Sequence, residues 1–495
     1  MNWKMVVAAA AVLGIAAGSA DAAPSVKRSG NTFTIVEALT DEGAAQIKAE
    51  MSQVDQSRLT FNLKDVKDEE LAKFCAAYPN IPALSIDSSK ELTSIAPLAS
   101  LKALKNIKIR ADKVQDFTPL AGLAGLERLD VGSKAMGPDL KWMSGMTKLG
   151  YVSVSADKAL TSFEGLPSLP ALRRASLTGA APADLTPVLA LSGLEDLLLN
   201  YCTIKDLTPL TKLAKLKDLS LYGATVQDFS PLAGCASLKR LTYYAAKDAD
   251  FSTLGKLTQV ETLNGGLTKL DNIDWVANLP NLKKFDVFAE YVKDYAPLGK
   301  TSVENFQIWS MRVPVDLKSL AGAVSLKQLK LWNLKDVSGF EGLAPLVNLE
   351  ELTLDEVNKD GTIPVDYVKG MSKLAKLNLS RINCADTAAL GSLPALKELK
   401  GSRLNNVGDK PFDLGFVGKL PMLKSLSLDS ANISGLESLA SCAQLESVSL
   451  TKVTGVTSLA PLKKVAGLKR LTVTKGAFPD SELTGFDEKV KINQR

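Results

Sequence analysis

The chain has 495 residues, 46% hydrophobic and 23% charged, with 59 Lys and Arg against 54 Asp and Glu for a formal net charge of +5. That apolar content belongs to ordered, soluble chains, and so slight a basic excess leaves no electrostatic footprint for nucleic acid. Histidine is absent, which removes the commonest general base, the imidazole metal ligand and the usual mildly acidic pH switch together.

Residues 1–22 read as a secretory signal. Lys4 gives a positive start, Met5 to Gly18 is apolar, and Ala20-Asp21-Ala22 is a small-x-small site that predicts cleavage before Ala23. The apolar run is shorter than the roughly 20 residues needed to cross a bilayer. No cysteine stands at the cleavage point to accept a lipid. Residues 23–80 form an expected N-terminal cap. It has a strand over Thr32–Val36, a helix over Asp41–Val54, then Leu59-Thr60-Phe61 and a helix over Asp68–Tyr78 as an atypical first repeat.

From 81 to 475 one pattern recurs. A single period runs Leu194-Glu-Asp-Leu197-Leu-Leu199-Asn-Tyr-Cys202-Thr-Ile204-Lys-Asp206-Leu-Thr-Pro209-Leu210-Thr-Lys-Leu213. Leucines at fixed offsets with a period in the low twenties mark a solenoid, whose stacked units share one core however long the array becomes. The first inward residues of its strands are Leu84, Ile107, Leu129, Val152, Ala175, Leu197, Leu219, Leu241, Leu263, Phe285, Phe306, Leu329, Leu352, Leu377, Leu399, Leu426, Val448 and Leu471, about 18 repeats. A second inward residue follows two later, the alternation of a strand with one buried face. Most steps are 21 to 23 residues; Leu352 to Leu377 and Leu399 to Leu426 are longer, and predict bulges over Lys359–Tyr367 and Asn405–Phe416 on the outer or side face.

The return segments repeat Asp-x-x-Pro-Leu, as at Asp116, Asp206, Asp228 and Asp294. Each aspartate is expected to cap backbone N–H groups while proline opens a short helical turn. These carboxylates therefore read as structural, not catalytic. Four of the five cysteines (Cys202, Cys235, Cys384, Cys442) fall at inward repeat positions, and Cys75 lies in the second cap helix. An odd, scattered set predicts buried thiols and no disulfide framework or zinc site. Residues 476–495 are an expected C-terminal cap, with Phe478, Leu483 and Phe486 closing the core and Val490-Lys491-Ile492 as a last truncated strand.

The repeat resembles the 22-residue class of leucine-rich repeat found in bacterial internalin-type proteins, over about residues 59 to 475. That resemblance implies an α/β solenoid, a horseshoe with a parallel sheet on its concave face and short helical turns on its convex face. It also implies a non-enzymatic binding protein of a bacterium, periplasmic or extracellular. A C-terminal sorting motif and an additional domain are missing from the pattern, so surface anchoring and host-cell binding do not follow from it.

Function is sought where the repeated surface changes. The residue after the second inward position of each strand should face outward on the concave side. In that column Tyr222, Tyr244, Phe288, Trp309 and Trp332 fall within six consecutive repeats, interrupted by Gly266, and the other twelve repeats carry no aromatic there. Tyr201 extends the strip, and Lys284, Asp286, Gln307, Lys330 and Asp355 border it with polar groups. Exposed Tyr and Trp offer large contact area at small entropic cost. The expected ligand is a protein or peptide; the alternatives are a glycan stacked on the rings, a scaffold role in the envelope, or rings that merely pack as a cross-strand ladder. Neither cofactor nor metal is expected. Gly299-Lys300-Thr301 lacks the first glycine of a phosphate loop, and Glu356–Gly361 resembles half a calcium loop but has Tyr367 in place of the bidentate Glu, leaving a solvated turn as the expectation.

Overall fold

The computed structural model describes residues 26–495 apart from 245–249, 267–269, 289, 385, 407 and 409. The expected signal, 1–22, lies outside the described residues. One sheet of 22 strands runs through the whole described array. Its first strand, Val26–Ser29, pairs antiparallel with Thr32–Val36 across a two-residue Gly30-Asn31 turn; every later neighbour is parallel. Two helices, Asp41–Glu50 and Asp68–Ala77, lie in the front segment. The first is shorter than the sequence suggested, because a 3-10 turn over Met51–Gln53 replaces its last residues.

The register is that of the leucine ladder. Leu197, Leu219, Leu241, Leu263 and Phe285 are neighbours across successive strands, as are Leu221 and Tyr243 one pleat further along. Leu219 and Leu221 are buried while Ser220 between them is not and Tyr222 is exposed. Each fully buried leucine contributes about 1.5–3 kcal/mol of transfer free energy, repeated down one continuous core.

The return segments are 3-10 turns, not α-helices, for instance Thr208–Lys212 and Ser230–Gly234. Three residues per turn fits a five-residue span that must reverse direction and re-enter the core. The aspartates act as expected: Asp206 accepts from the Thr208 N–H at 2.8 Å, Asp228 from Ser230 at 2.7 Å, Asp116 from Thr118 at 2.8 Å and Asp294 from Ala296 at 2.8 Å. Each sits one residue before the cap position, so the motif is an Asx turn feeding a proline-opened helix.

In many repeats the chain leaves the sheet through a single left-handed residue. Ser88, Tyr201, Ser310, Asn333, Glu356, Arg381, Arg403, Ser430 and Lys452 all have φ between 51 and 60°, and Gly179 and Gly223 hold the same place. The strain of that conformation in a side-chain-bearing residue is offset by a ladder bond, such as the Tyr201 N–H donating to the Tyr222 carbonyl at 2.7 Å.

The two long repeats place their extra residues beside the main sheet. Thr362–Ile363, Asn383–Cys384 and Asn405–Asn406 form a three-stranded ladder of their own, and Phe412–Asp413 pairs with Ile433–Ser434. At 358–362 the oxygens of the half calcium loop are spent on the backbone. Asn358 accepts from Val337 N–H at 2.8 Å and donates to the Thr362 carbonyl at 3.0 Å, and Asp360 accepts from Thr362 N–H at 2.9 Å. All five cysteines are buried free thiols. At the far end Phe478 is buried, Leu483 and Phe486 pack on the core, and Lys491–Gln494 adds the final parallel strand. Among the described residues no helix is long and apolar enough to cross a membrane.

Candidate functional site

The aromatic column is one line across the sheet. Tyr222 is the register partner of Tyr244, Tyr244 of Gly266, Gly266 of Phe288, and Trp309 of Trp332. Tyr222, Tyr244 and Trp332 are exposed; Phe288 and Trp309 are half-buried by their neighbours. The rings form two runs. In the first, Tyr201 meets Tyr222 edge-on at 5.4 Å and Tyr222 meets Tyr244 at 4.5 Å. In the second, Phe288 lies 4.3 Å from Trp309, which stacks on Trp332 at 4.8 Å with planes 4° apart.

Gly266 is the interval between the runs, and Tyr244 leans across it. A Cβ at 266 would stand 2.5 Å from the Tyr244 ring. Burial, then the Asp286 carboxylate and Tyr222, hold the Tyr244 phenol above its ordinary value. Tyr201 reaches the strip from the left-handed position, its ring filling the space a side chain at Gly223 would take. It is the most exposed of the six rings, at 59%.

The polar border is partly self-satisfied. Gln307 donates its amide to Asp286. Asp355 is held by the Arg381 guanidinium at 2.8 Å, which also meets Glu356 at 2.9 Å. Its charge is thus balanced from the next repeat, which sequence position alone did not disclose. Lys330 has Glu351 at 3.9 Å, and Lys284 has no carboxylate in salt-bridge range among the described residues. The Trp309 indole N–H is buried without a hydrogen-bond partner.

Beside the second run the sheet opens. Strands Lys284–Phe288 and Asn305–Trp309 stay in register only through Lys284–Asn305 and Phe285–Phe306. A cleft of about 250 Å³ there is lined by Lys284, Asp286, Asn305, Gln307, Gln328 and Lys330, floored by Phe285 and Phe306. Those two core rings stack at 5.9 Å where most other repeats place an aliphatic residue. The 21-residue step between them was visible in the sequence; the opening it makes was not.

A family model, the leucine-rich repeat domain of the endo-β-N-acetylglucosaminidase EndoS, matches residues 192–290. That span holds Tyr201, Tyr222, Tyr244 and Phe288 but neither Trp309 nor Trp332. No curated protein matches the chain in sequence. Among solved structures, a chain of the TLR13–ssRNA13 complex is 19% identical, covering 84% of this chain and 67% of that one, with a TM-score of 0.54. A chain of the Toll–Spätzle complex of Drosophila is 14% identical, covering 93% and 68%, with a TM-score of 0.52. An internalin of Listeria monocytogenes is 20% identical, covering 77% and 84%, with a TM-score of 0.37.

The fold defines a scaffold that commonly binds other proteins. The chain has the leucine-rich repeat fold. The comparisons do not single out the 22-residue class within that group.

Proposed function

We propose that this is an exported, non-enzymatic bacterial protein that recognises a protein or peptide partner through the aromatic strip. The observation that carries the reading is six aromatic side chains brought to one line, in two contiguous runs, on the outward face of an otherwise small and polar sheet. Rings already packed on one another are held in place before a ligand arrives, so little side-chain entropy remains to be lost on binding.

The stacking also bears on ligand class. Trp309 has Phe288 on one side and Trp332 on the other, and the strand neighbour beyond Trp332 is Asp355. Ring edges, more than open ring faces, are therefore presented. Edges suit the irregular apolar surface of a polypeptide, whereas a pyranose needs a free face to stack upon. The glycan alternative draws its support from the match to a repeat domain of a glycan-cleaving enzyme over residues 192–290. The tyrosine run within that span is the more open of the two.

Affinity capture with the wild-type protein from its own envelope fraction, repeated with Trp309→Ala/Trp332→Ala, tests the proposal. A stoichiometric protein partner lost in the double variant is the expected result. Unchanged capture by a folded double variant would reject the strip. Recovery of a polysaccharide and no polypeptide would support the glycan reading.

A further inference from the structure

The cleft between strands Lys284–Phe288 and Asn305–Trp309 brings two lysines, one carboxylate and several amide groups together over an aromatic floor. Elsewhere on that face several basic side chains are matched by acids in the adjoining repeat, although among the described residues Lys376 and Arg470, in the same column as Lys284, are not. Lys108 meets Asp87 at 3.0 Å, Arg110 meets Asp130 at 2.7 Å, Arg174 meets Asp196 at 3.2 Å and Arg240 meets Asp218 at 2.8 Å. At the cleft such matches are sparse. Lys284 has no carboxylate in range among the described residues, and Lys330 has only Glu351 at 3.9 Å. The one carboxylate in the lining, Asp286, is taken by the Gln307 amide. Asn305 and Gln328 complete the walls with amide groups.

The opening follows from the fold. Phe306 comes 21 residues after Phe285, one fewer than the preceding step, and the two phenyl rings stack at 5.9 Å beneath the surface. In-register pairing stops after Phe285–Phe306, and a gap of about 250 Å³ lies there, lined in part by the hydrogen-bonded pair Asp286 and Gln307. That space suits one side chain or one chain terminus. Two ammonium groups, one carboxylate and several amide donors favour an anion with planar oxygens. The gap adjoins the Phe288–Trp309–Trp332 run, so whatever enters it belongs to the same ligand as the rings hold.

Resting on the reading of the strip as a peptide-binding surface, we infer that the cleft takes a carboxylate of the partner between Lys284 and Lys330, and that the recognised segment is an acidic peptide. Charge complementarity selects the occupant, with the rings supplying area and the lysines the choice of sequence.

Fluorescein-labelled hexapeptide mixtures, randomised except for a fixed Glu, Gln or Lys at one position, provide the probe, with binding read by polarisation at low salt. The Glu mixture is expected to bind about tenfold tighter than the Gln mixture, a preference that raised salt weakens. Lys284→Gln/Lys330→Gln should erase that preference and keep the weaker binding common to both. Equal binding of Glu and Gln mixtures by the wild type, or a Glu preference that survives Lys284→Gln/Lys330→Gln, overturns the acidic assignment and leaves the strip standing. Binding untouched by Trp309→Ala/Trp332→Ala overturns the strip itself. Failure of every mixture to bind removes both, and tighter binding of a uronate oligosaccharide than of any mixture assigns the cleft to acidic sugars instead.

Discussion

Tyr244 lies across Gly266, its ring 2.5 Å from where a Cβ at 266 would be, and so covers the position that separates the two aromatic runs. A Gly266→Ala variant should swing that ring away. Its stability is expected to stay within about 1 kcal/mol of the parent, since lost ring packing opposes the gain from a stiffer unfolded chain. The informative change is in the phenol. Burial, the Asp286 carboxylate and Tyr222 now raise it, so its titration should fall back toward 10.0 in the variant. Absorbance titration against a Tyr244→Phe control measures this.

The parallel indoles of Trp309 and Trp332 should behave as a coupled pair. A double-mutant cycle on urea unfolding is expected to give a coupling of about 0.5–1.5 kcal/mol. Near-ultraviolet circular dichroism should show an exciton band that either single Trp→Phe substitution abolishes. Additive single effects, with no shared band, would mean the rings do not stack in solution.

Asp206 tests the turn chemistry. Asp206→Ala is expected to destabilise by about 0.5–1 kcal/mol, and Asp206→Asn by less, because the amide oxygen can still accept the Thr208 N–H. The Thr208 hydroxyl and backbone hold the Asp206 carboxyl below its ordinary value, and Ser230 does the same for Asp228. A lowered folded-state value stabilises above the unfolded-state value of 3.8 and is lost as pH falls through the folded one. The gap in melting temperature between wild type and Asp206→Ala should therefore be full at neutral pH and shrink as acid takes the solution below that value.

The thiols should be silent until the array opens. Burial pushes Cys75 and Cys384 up to about 12 and Cys202, Cys235 and Cys442 up to about 11. A disulfide-exchange reagent at mildly alkaline pH should label none in the native protein and all five in denaturant. Rapid labelling of Cys202 alone would indicate that its repeat opens locally.

The core was legible almost residue by residue, since a leucine every 22 positions admits one register and a slip of one would turn every inward side chain to solvent. The outward column followed from the same alternation, so Tyr222, Tyr244 and Trp332 were placed before any coordinates. The first strand was not seen. Val26-Lys27-Arg28-Ser29 carries little apolar signal, although Gly30-Asn31 ahead of Thr32–Val36 is a two-residue hairpin turn that could have revealed it. The side ladder through Thr362, Asn383 and Asn405 escaped because two-residue strands have no periodicity to read. Pairings between repeats, such as Arg381 with Asp355, depend on rotamers and the reach of long side chains, which spacing does not encode.

In a solenoid each unit leans only on its neighbours, so cooperativity is transmitted link by link. The two-pair register at Phe285–Phe306 is a thin link in that chain, where the other described joints of the main sheet carry three to six pairs. Amide exchange should therefore reveal two blocks with separate opening free energies, meeting at this seam. Pulled from its ends, the molecule would be expected to part there first, with Tyr222 and Tyr244 on one fragment and Trp309 and Trp332 on the other.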